Sequence, residues 1–529
     1  MRSATAHPSR LLLLLAITVV SVNAATSHCE GLLKAALPNT TITTGESVPA
    51  GKFTPPYGNG VDVPEFCRVA GVLRPSSDSY IRFEVWLPTR AWNGKYLGVG
   101  NGGFAGSIDY RAMSGNLKRG YATAATDTGH EADAADASWA YGHPDRVIAF
   151  GYRALHETTA NAKLLIQAFY GRAPEHSYFD SCSDGGREAL IEAQRFPEDF
   201  DGILAGAPAN AWNHLLTAGL DVTRSVLANP AGYISSNKLP AITSAVMKAC
   251  GASDGVKAGF LNDPERCHFD ASVLLCKGVE SRSCLTAPQI ASLKKIYTGG
   301  EDSRGHATFP GLVPGSEDPG WADWVLGFGP GGSFGNVYVE NYFRYMVYND
   351  PSWNVLTANV EKASHLAVEK TARALDATDP DLHRFSDRGG KLILYHGWND
   401  PAISPWATIA YYQSVVSKMG AQNAAKFVRL YMVPGVQHCF GGPGPTSFGQ
   451  LGTTTAKGPE HGVYAALEAW VEDGTAPKTM IGTKYNGNEP AKGVQITRPL
   501  CAYPQIAKYG GTGDPKDAAN WSCASALTP

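Results

Sequence analysis

The chain has 529 residues, 43% of them hydrophobic and 18% charged, with 45 Lys+Arg against 48 Asp+Glu and a formal net charge of -3. That length exceeds one ordinary core and predicts a large domain with an insertion, or two to three domains. The apolar content excludes wholesale disorder, and the balanced charge removes the electrostatic case for nucleic acid or an anionic membrane as partner.

The N-terminus predicts the compartment. Arg2 and Arg10 flank a polar start, Leu11–Val20 is apolar, and Val22-Asn23-Ala24 supplies small residues for cleavage. The apolar run is too short to cross a bilayer, so residues 1–24 read as a secretory signal peptide with the mature chain starting near Ala25. The expected location is secreted or periplasmic, where disulfides persist. All 10 cysteines follow the signal, an even number as pairing requires. Asn39-Thr40-Thr41 and Asn520-Trp521-Ser522 fit the glycosylation pattern, which matters only in a eukaryotic host.

Strands and helices then alternate. Tyr80–Leu87 alternates apolar and polar residues as a strand does, Lys95–Val99 is a short apolar run ending in Gly100-Asn101-Gly102-Gly103, and Tyr121–Thr126 is a third strand. Ile148, Tyr152, Leu155, Ala162, Leu165 and Phe169 recur at helical spacing and predict a helix over Arg146–Phe169. Ser177–Ser181 reads as strand, Gly185–Gln194 as helix and Gly202–Ala205 as strand. This rhythm predicts an α/β fold with a mostly parallel sheet. It breaks over Ala209–Arg384, which carries four cysteines, the glycine-rich Gly327–Gly335 and several tryptophans. It resumes with a strand at Lys391–Tyr395, a helix at Pro405–Met419, a strand at Phe427–Met432 and a helix at Val463–Val471. The division is therefore 25–208 and 385–529 as the two parts of one α/β domain, with 209–384 inserted.

Ser181-Cys182-Ser183-Asp184-Gly185-Gly186 falls between a strand and a helix. A serine on so sharp a turn projects its hydroxyl above the sheet edge, and the next residue's N–H can face an oxyanion. Ser181 stands where the usual G-x-S-x-G pattern has its first glycine. Further on, Lys391–Tyr395 runs into His396-Gly397-Trp398-Asn399-Asp400-Pro401, and the strand at Phe427–Met432 leads to His438. Ser, Asp, His is the chain order of an α/β-hydrolase triad. Cys182 precedes Ser183 and Cys439 follows His438. A bridge between them would bring their Cα atoms to about 5.5 Å and hold serine and histidine within reach of each other.

The sequence resembles the tannase and feruloyl esterase family of secreted α/β hydrolases over nearly all of the mature chain. The resemblance rests on Gly100-Asn101-Gly102-Gly103-Phe104, Ala125-Thr126-Asp127-Thr128-Gly129-His130, Cys182-Ser183-Asp184-Gly185-Gly186-Arg187, Gly397-Trp398-Asn399-Asp400-Pro401 and His438-Cys439. It implies an α/β-hydrolase fold with residues 209–384 as lid, Ser183 as nucleophile, His438 as base and acid, and Asp400 as its partner. Gly103, with the N–H of Asp184, is implied as oxyanion hole, and Gly102 is the alternative register. It also implies the pairs Cys29–Cys67, Cys182–Cys439, Cys250–Cys267, Cys276–Cys284 and Cys501–Cys523. The family's calcium loop would fall on Gly251, Asp254, Val256, Ala258 and Phe260. Two of its three carboxylates are missing here, so the expectation is that no cofactor is required; Ca²⁺ wants six to eight oxygens. The implied substrates are small aromatic or plant-polymer esters of ferulate, gallate or, in one branch, terephthalate. The inserted aromatics Trp321, Trp324, Tyr342, Phe343 and Tyr345 are candidates to stack on a phenolic ring, with lid core as the plainer role for each. A non-catalytic binding protein on the same fold is the reading from another class.

Overall fold

The structure is a computed structural model, and it describes residues 28–251, 256 and 258–525. The proposed signal peptide and Asp254 lie outside the described residues.

Nine strands form one sheet: β1 Thr40–Val48, β2 Phe66–Leu73, β3 Ile81–Pro88, β4 Lys95–Val99, β5 Ala122–Thr126, β6 His176–Cys182, β7 Gly202–Gly206, β8 Lys391–Gly397 and β9 Val428–Val433. Their spatial order is β1-β2-β3-β5-β4-β6-β7-β8-β9. The first three pairings are antiparallel, and every pairing from β5 onward is parallel. The α/β architecture and mostly parallel sheet expected from the sequence are what the chain forms. β1 and β2 are not among the strands that the sequence predicts. β1 (TTITTGESV) has one buried residue, Gly45, and its sequence lacks the apolar–polar alternation that marks a half-buried strand.

Among the helices that cover the sheet or border the space above it are α1 Tyr110–Lys118, α2 Ala154–Tyr170, α3 Asp184–Arg195, α4 Trp212–Leu227, α5 Phe334–Asn341, α6 Val360–Leu375, α7 Pro405–Met419 and α8 Val463–Glu472. Successive strand side chains point to opposite faces, and each face has its own helices. Phe179, Ile203 and Leu394 pack with Leu165 of α2, Leu190 of α3 and Val415 of α7. Tyr178, Leu204 and Ile393 pack on the other side with Tyr464, Leu467 and Trp470 of α8. The result is a three-layer sandwich with the sheet in the middle.

The helix expected over Arg146–Phe169 is continuous in space but carries a π turn at Ala149–Arg153 ahead of α2. A π turn leaves carbonyls without their regular partners. Here Arg187, fully buried on α3, donates from its guanidinium to Gly151 O at 2.7 Å and Phe150 O at 3.3 Å. The two helices that carry the sheet's front face are locked together at that point.

Between β7 and β8 the chain leaves the sheet. α4, α5 and α6 build a cluster around Trp212, Val339, Tyr342 and Ala367 that also takes in Phe104 and Phe150 of the sheet domain. A second cluster surrounds Leu293 and Trp321. Five disulfides join Cys29–Cys67, Cys182–Cys439, Cys250–Cys267, Cys276–Cys284 and Cys501–Cys523, with Cα–Cα distances from 4.9 to 5.9 Å.

Candidate active site

Ser183, Asp400, His438 and the Gly100–Phe104 loop all follow the C-terminal ends of parallel strands (β6, β8, β9 and β4), where open α/β sheets bind their ligands. Ser183 has φ 68° and ψ -123°, a conformation costly for a residue with a side chain. The surroundings enforce it. Ser183 N donates to Gly206 O at 2.9 Å, while Ser183 O accepts from Arg187 N and Ala209 N, each at 3.1 Å. A Cβ on Gly185 would collide with Ser181, and one on Gly186 with the Gly206 carbonyl. Ser181, the departure from the usual glycine, fits because Gly100 and Gly185 give its hydroxyl room.

His438 Nε2 stands 2.8 Å from Ser183 Oγ, and His438 Nδ1 is 2.8 Å from Asp400 Oδ2. The loops bearing Asp400 and His438 are zipped together: Trp398 N donates to Val433 O and Asn399 N to Val436 O, each at 2.9 Å. Asp400 is fully buried, and its Oδ1 accepts from Ala402 N at 2.8 Å and Ile403 N at 3.0 Å. Burial alone would raise its carboxyl. The charge of His438 and hydrogen bonds from His396 and His438 hold it well below the usual carboxylate range instead. Cys182 and Cys439 clamp the turn and the loop from behind, Cα to Cα 5.9 Å.

The glycine-rich loop is pinned from three sides. Asn101 N donates to Glu188 Oε2 at 2.8 Å, and Asn101 Nδ2 donates to Thr126 O at 3.0 Å. The Thr126-Asp127-Thr128-Gly129-His130 turn supplies the third. His130 Nε2 donates to Phe104 O at 2.8 Å, the tautomer following from that carbonyl acceptor. Burial pushes His130 down to about 4, so the ring is neutral at physiological pH. Gly103 (φ 59°) lines the pocket beside Ser183, and a Cβ there would come within 2.6 Å of the Tyr338 hydroxyl. Asp184, first residue of α3, has a backbone N–H with no acceptor inside the helix.

Two spaces meet at Ser183 and His438. One is a cavity of about 190 Å³ under α4 and α5, walled by Trp212, Leu216, Val222, Phe309 and Val339. The other is an open cleft of about 1350 Å³ with Asp62, Asp109, Arg111, Lys118 and Asp323 on its sides. Trp324 and Tyr338 stand at the junction, stacked 5.9 Å apart, and the Trp324 ring lies edge-on to His438 at 5.4 Å. Of the five aromatics singled out from sequence, only Trp324 reaches the site. Trp321, Tyr342 and Phe343 are buried in the segment's own core, and Tyr345 flanks a separate hollow. Nothing in the sequence marks Tyr338 and Trp212, because at helical spacing nothing local separates a pocket wall from core. The sequence does not mark Glu188 either: a charged residue mid-helix usually faces water.

The segment at the expected calcium position offers little to a hard cation. Its described residues there are Gly251, Val256, Ala258 and Phe260, none with a side-chain oxygen. Val256 packs in an apolar cluster with Trp521, and the guanidinium of Arg498, a resident cation, stacks on Trp521 at 3.6 Å and lies 5.9 Å from the Phe260 ring. The described residues at these positions supply no carboxylate to Ca²⁺.

Known proteins resemble this chain closely. It is 45% identical over 536 residues to an uncharacterised esterase of Xanthomonas campestris, covering 96% of this chain and 92% of that protein. It is 33% identical to feruloyl esterase B of Aspergillus niger over 464 residues, 87% of each. The crystal structure of feruloyl esterase B from Aspergillus oryzae superposes with a TM-score of 0.86 at 30% identity, covering 94% of this chain and 100% of that one. The family model described as tannase and feruloyl esterase matches residues 67–524. Fold, motifs and relatives agree: the chain belongs to the tannase and feruloyl esterase family of α/β hydrolases and is a carboxylic ester hydrolase.

Proposed function

We propose that the chain is an exported serine esterase that cleaves esters of aromatic, phenolic acids through an acyl-enzyme on Ser183. The observation that carries this reading is the Ser183–His438–Asp400 chain of 2.8 Å contacts opening into an apolar cavity. His438 takes the Ser183 proton as Oγ attacks the ester carbonyl, then delivers it to the departing alcohol. Asp400 fixes the imidazole and stabilises its charged form. The N–H groups of Gly103 and Asp184 face the developing oxyanion, usually the largest electrostatic contribution. Water then repeats the sequence on the acyl-enzyme.

The segment between β7 and β8 acts as lid. Its apolar cavity takes the aromatic acyl group, and the larger cleft, edged with charged residues, takes the alcohol, including a sugar. Among the described residues walling the cavity there is no lysine or arginine, which favours a neutral phenolic acid over the anionic terephthalate monoester. An intact triad favours turnover over a binding role. Activity independent of calcium belongs to the same reading.

The test is a panel of methyl ferulate, methyl gallate, chlorogenic acid and a terephthalate monoester, with and without chelator. Expected are turnover of the neutral phenolic esters, little of the terephthalate ester, and no chelator effect. Ser183→Ala should lose on the order of a millionfold in kcat while staying folded. Retention of a tenth of wild-type turnover by that variant would overturn the nucleophile assignment.

A further inference from the structure

Asp400 has two imidazoles, and the triad uses one. His396, at the end of β8 and fully buried, places Nε2 3.0 Å from the same Asp400 Oδ2 that binds His438, and 3.2 Å from Ile403 O. Its Nδ1 lies 2.7 Å from Oγ1 of Thr408, itself buried on α7. Both neighbours of Nε2 are acceptors, so Nε2 carries the hydrogen, and Nδ1 takes the hydroxyl proton of Thr408. The site is therefore a line of five groups: Ser183, His438, Asp400, His396, Thr408.

We propose that His396 is a positioning residue for catalysis: its Nε2–H fixes the Asp400 carboxylate and shares the charge that Asp400 offers to His438. The proposal rests on the triad reading. The geometry has two consequences. Asp400 holds four donors, two backbone N–H groups on Oδ1 and two imidazoles on Oδ2, and losing one loosens the carboxylate together with the His438 imidazole that stays bonded to it. Second, an N–H on Oδ2 draws off part of its negative charge. Removing it leaves more charge for His438, stabilises the imidazolium and keeps the base protonated to higher pH. The ionisable groups bearing on Asp400 are these two histidines. The Ile403 carbonyl and the Thr408 hydroxyl complete the contacts of His396, and neither titrates in the working range.

His396→Leu removes the donor at similar volume, and His396→Gln restores an N–H near the Nε2 position. On an activated aryl ester, His396→Leu should lower kcat about ten- to a hundredfold with KM moving less than about threefold, the scale of a displacement near 1 Å. Its acid limb should shift up by at least about half a pH unit, and His396→Gln should recover most of both. The same upward shift should appear in an NMR titration of the His438 ring in Ser183→Ala protein carrying His396→Leu, which needs no turnover. A wild type without Ser183-dependent hydrolysis would sink the esterase reading; an unmoved His438 titration in folded protein would sink this proposal. Should His396→Leu fail to fold, Thr408→Val removes only the hydroxyl behind Nδ1 and should shift the profile the same way by less. A profile coincident with wild type overturns the proposal there.

Discussion

The two walls around Ser183 are built differently. On the sheet side each functional group is held by directed bonds: Ser183 through its backbone, Asp400 by four donors, the glycine-rich loop by Glu188, Thr126 and His130. On the side contributed by residues between β7 and β8, Trp324 lies edge-on to His438 and stacks on Tyr338, held by ring stacking and packing. Directed bonds fix atoms to within tenths of an ångström, which proton transfer needs. Packing fixes a shape, which is enough to choose among acyl groups. The sheet side should therefore set the rate for every ester and the other side the ratio between esters.

The sharpest way to break that contrast is to loosen the sheet side alone. Replacing Cys182 and Cys439 together by serine should lower kcat about a hundredfold, by the same factor for acetyl and feruloyl esters, since a misplacement near 1 Å costs that much. The entropic cost to stability is roughly 5–6 kcal/mol, and circular dichroism should find the variant folded at about 20 °C. A folded double variant with wild-type kcat would show that the bridge stabilises without positioning.

Trp324→Ala probes the opposite wall. The ratio of kcat/KM for methyl ferulate to that for an acetyl ester should fall about tenfold, because one lost ring contact of about 1.4 kcal/mol is a factor of ten. A ratio unmoved within twofold would remove this wall from substrate choice.

The smallest effect is on stability and sharpens the picture of the sheet side. Glu188 is buried beneath Asn101, and burial together with the Asp184 charge pushes its carboxyl up to about 8 from an ordinary 4.5. The folded chain thus keeps a proton that the unfolded chain loses. The stability linked to it is complete below pH 4.5 and drains away as pH rises through about 8. Glu188→Gln keeps an acceptor for Asn101 N–H and cannot ionise. Its melting temperature should fall less than wild type between pH 6 and 9, by about 1–2 °C, with activity at pH 7 unchanged within about twofold.

The same contrast decides what could be read in advance. Sheet strands and their helices follow from periodicity because one face of each is buried, and β4 and α7 have the limits that Lys95–Val99 and Pro405–Met419 foretold. Ser183, Asp400 and His438 were visible because strand ends and turn residues mark them locally. His396 sat four residues from Asp400 in the same motif, but its role depends on Thr408, which only the folding of α7 against β8 brings near. Tyr338 and Trp212 owe their place to packing between distant segments, and no short-range pattern carries that.

Cys182 and Cys439 lie 257 residues apart, and everything between β7 and β8 falls inside the interval they close. The bridge makes that interval a covalent ring through which the chain's two ends enter and leave. A protease that cuts once within the ring, for instance beside the exposed Phe328, opens the circle without dividing the molecule. Ser183 and His438 would then sit on different peptides yet remain tethered at their neighbouring sulfurs. Such a nicked protein would run as one species until reduced and as two afterwards, with Ser183 and His438 still joined through their neighbouring cysteines.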